Sequence, residues 1–174
     1  MGSEEFETAR LLDHKTTRDL DKNQMKYLLS ITVIIALFFK SYGQEVSSKA
    51  YDIMLQSLLS HSVKEVSVKD IKEKKDVLFV DARERQEYQT SHIKNAIFVG
   101  YDSLDLTPME KVDKSKEVIV YCSVGYRSEK VSEKLEKMGF KNVSNLYGGI
   151  FEWKNQGQEV VTPEKETTER VHAY

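Results

Sequence analysis

The residues best suited to chemistry surround the only cysteine of this 174-residue chain, Cys122, which is followed by Ser123-Val124-Gly125-Tyr126-Arg127-Ser128. The apolar run Val118–Tyr121 predicts a buried strand that leads into Cys122, and a helical pattern begins at about Ser128. In open α/β sheets, ligands bind at such strand-to-helix turns. The backbone N–H groups of the turn can converge on an anion.

This setting would stabilise a thiolate, which is the nucleophilic form of cysteine. The permanent charge of Arg127 would favour both that thiolate and an anionic substrate. The alternative is that Cys122 is a small buried hydrophobe at a strand end, as free cysteines usually are. The local pattern alone leaves both interpretations open.

Composition excludes several classes of site. A single cysteine cannot form an intramolecular disulfide, a CxxC redox pair or a multi-cysteine zinc site. The 26 basic and 28 acidic residues give a net charge of -2, which argues against a nucleic-acid binder that works through bulk electrostatics. The four histidines, at positions 14, 61, 92 and 172, lack the spacing of metal ligands. We therefore expect no metal, no cofactor and no nucleic-acid partner.

Short apolar runs alternate with helical patterns from about residue 50 onward. The runs are Val77–Val80, Ala96–Val99, Val118–Tyr121 and a weaker one at 143–146, and the helical patterns lie at about 50–62, 84–90 and 128–138. Continuous rather than alternating hydrophobicity indicates strands that are covered on both faces, as in a parallel sheet. The sequence thus predicts an α/β sandwich. Residues 161–174 are polar, contain Pro163 and predict a loose tail.

The N-terminal part contains one long apolar run, residues 27–39, flanked by Lys26 and Lys40. It is shorter than the ~20 residues of a spanning helix and fits the roughly 7–15 residues of a secretory h-region. Small residues at positions 41 and 43 match a signal-peptidase site before Gln44. Residues 25–43 therefore predict a signal peptide and export, to the periplasm in a bacterium, with 1–24 a polar leader or artefactual extension. If the run stays uncleaved, it would be a short membrane anchor.

Four motifs between residues 63 and 160 resemble, in order, those of the rhodanese-like sulfurtransferase family. They are Val80-Asp81-Ala82-Arg83 with Glu87-Tyr88; His92-Ile93 with Ala96; the Cys122–Ser128 loop; and Gly139-Phe140 with Leu146-Tyr147-Gly148-Gly149-Ile150 and Trp153. The resemblance implies a three-layer sandwich with a mainly parallel sheet between helices. The rhodanese-like domain would span 63–160, after an N-terminal helix in 44–62 and before the polar tail 161–174.

The resemblance also implies an activity. The Cys122 thiolate would take sulfur from a donor such as thiosulfate, hold it as a persulfide and pass it to a thiol or cyanide acceptor. Ser123, Val124, Gly125, Tyr126, Arg127 and Ser128 would bind the substrate. Asp81 and Arg83 could support the loop, although structural hydrogen bonds are the expected role of both, and His92 is expected to be a structural turn residue.

Loop length separates this activity from related ones. Four residues lie between Cys122 and Arg127, whereas the related phosphatases and arsenate reductases carry five. The smaller ring suits a single sulfur atom. A persulfide carrier or anion-binding module that acts with a protein partner is the main alternative, and a phosphatase or arsenate reductase is less favoured.

Overall fold

The computed structural model describes residues 46, 48–71, 74 and 76–172. The helices are α1 (Lys49–Leu58), α2 (Val68–Ile71), α3 (Arg85–Thr90), α4 (Tyr126–Lys137) and α5 (Gly149–Asn155), with a 3-10 turn at Thr107–Met109. The strands are β1 (Glu65–Val66), β2 (Leu78–Asp81), β3 (Ile97–Phe98), β4 (Glu117–Tyr121), β5 (Asn142–Leu146), β6 (Val160–Val161) and β7 (Thr167–Thr168). The predicted leader 1–24 and signal segment 25–43 lie outside the described residues.

Five strands form a central sheet in the order β1-β5-β4-β2-β3, and every pairing in it is parallel. Strand β4 lies in the middle, paired with β2 on one side and with β5 on the other. Asp81 at the end of β2 is in register with Tyr121 at the end of β4. The carboxyl ends of these strands therefore meet at one edge of the sheet, where parallel sheets bind their ligands.

Both faces of the sheet are covered, as the continuous apolar runs predict. Along β4, Val118 and Val120 pack into a core with Val131 and Leu135 of α4. The intervening Ile119 and Tyr121 point to the opposite face, where they belong to a second core. That second core includes residues of α2 and α5, namely Val68, Ile71 and Ile150. The prediction of a three-layer α/β sandwich is confirmed.

Helix α1 forms a separate small core beside the sheet. Leu55 and Leu59 pack with Val46 and Tyr147, and Tyr51 and Val124 border this cluster. The helix ends at Leu58 rather than near residue 62. Within the described residues, no helix has the length and apolar character needed to cross a membrane.

The expectation of a loose tail after residue 160 is wrong for the residues that the structure describes. Strands β6 and β7 pair antiparallel across Pro163, and Val161 also pairs with His92. Further along, the Ser91 hydroxyl donates a hydrogen bond to the carbonyl of Arg170 at 2.5 Å. Backbone hydrogen bonds to distant residues hold this segment, and its polar composition does not reveal them.

Candidate active site

Cys122 directly follows β4 and is 1% exposed. Helix α4 begins at Tyr126, two residues before the predicted start, so Arg127 and Ser128 lie in its first turn. The backbone N–H of Gly125 donates a hydrogen bond to Cys122 Sγ, with a nitrogen–sulfur distance of 3.1 Å. Gly125 has a φ of 121°, which L side chains rarely adopt. The glycine thus lets the chain fold back and direct an N–H group at the sulfur.

A buried hydrogen-bond network fixes the end of this loop to strand β5. The Ser128 hydroxyl contacts Asn145 Oδ1 at 2.7 Å, and the Asn145 amide Nδ2 donates to the Gly125 carbonyl at 3.0 Å. Ser128 and Asn145 are both fully buried. The Ser128 side chain thus positions the loop, and substrate binding by this residue stays a prediction.

Helix α5 supports the start of the loop from the other side. The N–H of Ile150 donates to the Cys122 carbonyl at 2.9 Å, and that of Phe151 donates to the Ser123 carbonyl at 3.3 Å. A Cβ atom at Gly149 would lie 2.5 Å from both of these carbonyl oxygens, and the residue has a φ of 58°. Only glycine allows this close approach.

Arg127 is held by a buried carboxylate of α3. Its guanidinium donates to Glu87 Oε2 at 2.6 Å and to Glu87 Oε1 at 2.9 Å, and Glu87 is fully buried. Burial alone would lower the Arg127 pKa, but hydrogen bonds to Glu87 and a negative charge on Cys122 raise it above its ordinary value. Arg127 is therefore a fixed cation next to Cys122.

Glu87 connects three parts of the site. Besides Arg127, it accepts a hydrogen bond from the Ser123 hydroxyl at 2.9 Å and one from the Glu84 backbone N–H at 2.8 Å. Burial raises the pKa of the Glu87 carboxyl, yet the hydrogen bonds from Arg127, Glu84 and Ser123 outweigh it and bring the pKa below its ordinary value. Glu87 is thus ionised and fixes Ser123 and Arg127 at opposite ends of the loop.

The two remaining loop residues face away from this network. Val124 is half-buried and packs against the cluster formed by α1. Leu59 of the same cluster lies so near that its Cδ1 would be 3.4 Å from a Cβ at Gly125. Tyr126 is 43% exposed at the surface of the loop.

Asp81 and Arg83 form a structural pair beside the loop. The Arg83 guanidinium donates to both carboxylate oxygens of Asp81, at 3.0 and 2.7 Å, and to the carbonyl of Ser91 at 2.6 Å. Both side chains are fully buried. Arg83 also reaches the carbonyl of His172 at 3.4 Å, so this pair anchors the C-terminal segment.

His92 is likewise held by structural contacts. Its ring stacks on Tyr88 with centroids 4.0 Å apart, and Nδ1 lies 3.1 Å from the Tyr88 carbonyl oxygen. In the described part of the chain, no group of three or more His, Cys, Asp or Glu residues could hold a metal ion.

Sequence reasoning did not assign a site role to Glu87 or Asn145, each of which is essential to the geometry of the loop. The spacing Glu84-x-x-Glu87 is typical of a helix capping box, which the structure contains. The helical pattern predicted at 84–90 already located α3. It could not have shown that Glu87 pairs with a residue 40 positions away.

The arrangement can stabilise a sulfur anion on Cys122. The first N–H groups of a helix lack acceptors within the helix, so those of α4 are available to an anion bound in the loop. The Gly125 N–H and the fixed Arg127 add to this positive environment. These are the requirements of covalent catalysis by a thiolate.

Comparison with known proteins agrees with this geometry. The family model described as "Rhodanese-like domain" matches residues 65–156, more than half of the chain. A tRNA uridine(34) hydroxylase from Hamiltonella defensa subsp. Acyrthosiphon pisum (strain 5AT) is 44% identical over 103 residues, which cover 56% of this chain and 28% of that protein. The match thus spans less than a third of that curated relative.

Solved structures show the same fold. A rhodanese-related protein from Thermoplasma volcanium is 28% identical with a TM-score of 0.50, and the match covers 56% of this chain and 97% of that one. A thiosulfate sulfurtransferase from Pseudomonas aeruginosa is 24% identical with a TM-score of 0.53, and the match covers 70% of this chain and 23% of that one. At this level of identity, the similarity concerns the fold alone. The family model matches more than half of the chain, and the parallel sheet and the cysteine loop agree with it. This chain therefore belongs to the rhodanese-like domain family.

Proposed function

We propose that the protein is a sulfurtransferase that moves sulfane sulfur through a persulfide on Cys122. The observation that carries this proposal is the six-residue loop from Cys122 to Arg127, in which the Gly125 N–H donates to Sγ at 3.1 Å. A ring of this size, bounded by the Ser123 hydroxyl and the Arg127 guanidinium, suits a single sulfur atom attached to Sγ.

In the first step, the Cys122 thiolate attacks the outer sulfur of thiosulfate. A bond forms between Sγ and that sulfur, the sulfur–sulfur bond of thiosulfate breaks, and its electron pair leaves with sulfite. Charge is conserved, because a thiolate and a dianion give a persulfide anion and sulfite. Arg127 attracts the anionic donor, while the loop N–H groups stabilise the persulfide.

In the second step, an acceptor nucleophile attacks the outer sulfur of the persulfide. Cyanide becomes thiocyanate, a thiolate becomes a persulfide, and the Cys122 thiolate is regenerated with the electron pair of the broken bond. No external oxidant or metal takes part. The two half-reactions predict ping-pong kinetics.

The direct test measures thiocyanate formation from thiosulfate and cyanide by the wild-type protein and by Cys122→Ser. The proposal predicts turnover that is lost in the variant. Readily formed persulfide that only one protein acceptor discharges would instead select the carrier function. Hydrolysis of an aryl phosphate that depends on Cys122 would select the phosphatase.

The curated relatives favour a second candidate. Proteins 44% and 37% identical to parts of this chain are named tRNA uridine(34) hydroxylases, which runs against the expectation that nucleic acid is not a partner. Incubation of the protein with unmodified tRNA in air-saturated buffer with a thiol reductant, followed by mass spectrometry of the nucleosides, tests this candidate; dioxygen supplies the inserted oxygen atom and the thiol reduces the other to water. Hydroxylated uridine that requires Cys122 would replace sulfur transfer to a small acceptor as the proposed activity.

We also propose export, which rests on the sequence of residues 25–43 alone. N-terminal sequencing of the protein from its native cell should identify Gln44 or a near neighbour as the first residue. Recovery of residues 1–43 in the membrane fraction would establish the anchored alternative instead.

A further inference from the structure

A cleft of about 520 Å³ lies beside the cysteine loop. It is lined by Glu84, Arg85 and Gln86 at the start of α3, by Tyr101 and Asp102, and by Arg127. Cavities of about 300–1,000 Å³ are typical of sites for organic ligands. Arg127 connects the cleft to the cysteine loop, because this lining residue also donates a hydrogen bond to the Ser123 hydroxyl at 2.8 Å. The cleft therefore adjoins the loop that carries Cys122.

Both positively and negatively charged side chains line the cleft. Arg85 is exposed, and its guanidinium carbon lies 4.8 Å from the centroid of the Phe98 ring, which fixes the position of the cation. Within the described part of the chain, no carboxylate pairs with Arg85. Arg127, in contrast, already has both carboxylate oxygens of Glu87 as partners. Arg85 is thus the cation of the cleft that has no carboxylate partner among the described residues.

Two carboxylates also line the cleft, those of Glu84 and Asp102. The Glu84 carboxylate accepts a hydrogen bond from the backbone N–H of Asp102 at 3.2 Å, which connects the two walls of the cleft. The Asp102 side chain is exposed, and in the described chain no cation pairs with it. The two carboxylates balance the two cations of the lining, Arg85 and Arg127, so the cleft carries no net charge. It would attract a molecule that carries both an ammonium and a carboxylate.

From this we infer that the cleft binds the sulfur acceptor, and that the acceptor is a small zwitterionic thiol of the amino-acid or short-peptide type. Its carboxylate pairs with Arg85 and its ammonium with Glu84 and Asp102, while its thiolate points past Arg127 to the persulfide. The thiolate attacks the outer sulfur of the Cys122 persulfide; a sulfur–sulfur bond forms to the acceptor, and the one to Sγ breaks. The thiol proton goes to solvent, and the electron pair stays on Cys122.

This inference rests on the proposed sulfur transfer, and the experiment separates the two. Full-length protein is first treated with thiosulfate, and persulfide loading is measured by intact mass before any acceptor is added. Failure to load contradicts the proposed function itself. Loaded protein is then mixed with cysteine, cysteamine, mercaptopropionate or mercaptoethanol, and discharge rates are compared at equal thiolate concentration.

We expect cysteine to discharge the persulfide at least about tenfold faster than each thiol that lacks one or both charged groups. Arg85→Gln should remove the preference for cysteine over cysteamine, and Asp102→Asn should reduce the preference for cysteine over mercaptopropionate. Arg170→Gln is the matched control, because Arg170 is exposed and does not line the cleft. Equal rates for the four thiols, or an unaltered preference in Arg85→Gln, would overturn the inference.

Discussion

The guanidinium of Arg127 and the carboxylate of Glu87 form a two-point ion pair, with distances of 2.6 and 2.9 Å, between the first turn of α4 and helix α3. Glu87 is fully buried, whereas Arg127 keeps a partly exposed face toward the cleft. Planar guanidinium and carboxylate groups fix each other's orientation in such a pair. The pair therefore sets where the positive charge lies relative to Cys122.

Glu87→Gln should destabilise the fold. Removal of one partner of a buried ion pair costs about 3–5 kcal/mol, because the other charge stays without its counter-ion. Urea unfolding at pH 7 measures this loss. Glu136→Gln removes the same charge from an exposed position of α4 and should change the free energy of unfolding by less than about 0.5 kcal/mol. Equal stability of the two variants would contradict the role of Glu87.

The same carboxylate predicts a pH dependence. The pKa of Glu87 in the folded protein is lowered, so its contribution to stability is fully present above the unfolded value of about 4.3. That contribution is lost as the pH falls through the lower folded-state pKa. The stability difference between wild type and Glu87→Gln should therefore stay constant near neutral pH and shrink as the pH falls below about 4.3. A difference that is also constant below that pH would show that Glu87 does not change its pKa on folding.

Arg127→Lys should weaken the use of thiosulfate although the charge is kept. The Arg127 guanidinium donates to both carboxylate oxygens of Glu87 and to the Ser123 hydroxyl. A lysine ammonium lacks the planar geometry that allows these three contacts together. Misplacement of the charge should remove one charged hydrogen bond to thiosulfate in the transition state, of about 1.5–3 kcal/mol, which corresponds to a decrease of roughly 10- to 150-fold in kcat/KM. Steady-state kinetics provide the measurement, with Arg170→Lys as the surface control. A wild-type kcat/KM in Arg127→Lys would mean that charge alone suffices.

Gly149→Ala should disrupt the loop and abolish most sulfur transfer. Its Cβ would lie 2.5 Å from the carbonyl oxygens of Cys122 and Ser123, so either the loop or α5 must move. Gly157→Ala is a matched control, since its φ of 70° is also left-handed but nothing lies within 4 Å of its Cβ. The control should lose only about 1–2 kcal/mol in its free energy of unfolding, which is the cost of a left-handed backbone conformation for alanine. Comparable activity in the two alanine variants would contradict the close packing of α5 on the loop.

Helix α1 should contribute to both stability and activity, because it packs against the loop. Leu59 directly follows the last residue of α1, and Leu59→Ala deletes its buried side chain next to Gly125. The free energy of unfolding should fall by about 2–5 kcal/mol, and persulfide formation should be slower. Leu58→Ala offers the comparison, because Leu58 is 40% exposed. Unfolding curves and single-turnover rates should separate the two variants. If they behave alike, α1 does not support the loop.

The sequence predicts well those parts of the structure that local patterns encode. The runs around β2, β3 and β4 are apolar without alternation, because both faces of each strand are covered, and they identify the parallel sheet. The cysteine loop is likewise a local feature. Helix α4 begins two residues earlier than its apolar periodicity indicates, because its first turn is polar and belongs to the loop.

Long-range contacts were not predictable in the same way. The pairing of Glu87 with Arg127, the bond from Asn145 to Gly125 and the anchoring of the C-terminal segment by Arg83 join residues that are 20 to 89 positions apart. Nothing in the local composition of either partner indicates the other. Helix α5 was also missed, since it is only seven residues long and begins with glycine, a poor helix former.

The central claim is that Cys122 carries sulfur during turnover, and intact-mass spectrometry tests it most directly. Wild-type protein treated with thiosulfate and desalted should gain the mass of one sulfur atom, lose it on addition of cyanide, and release one equivalent of thiocyanate. Cys122→Ser should gain nothing. Thiocyanate formation without any sulfur adduct on the wild-type protein, or an equal adduct on Cys122→Ser, would contradict the persulfide mechanism.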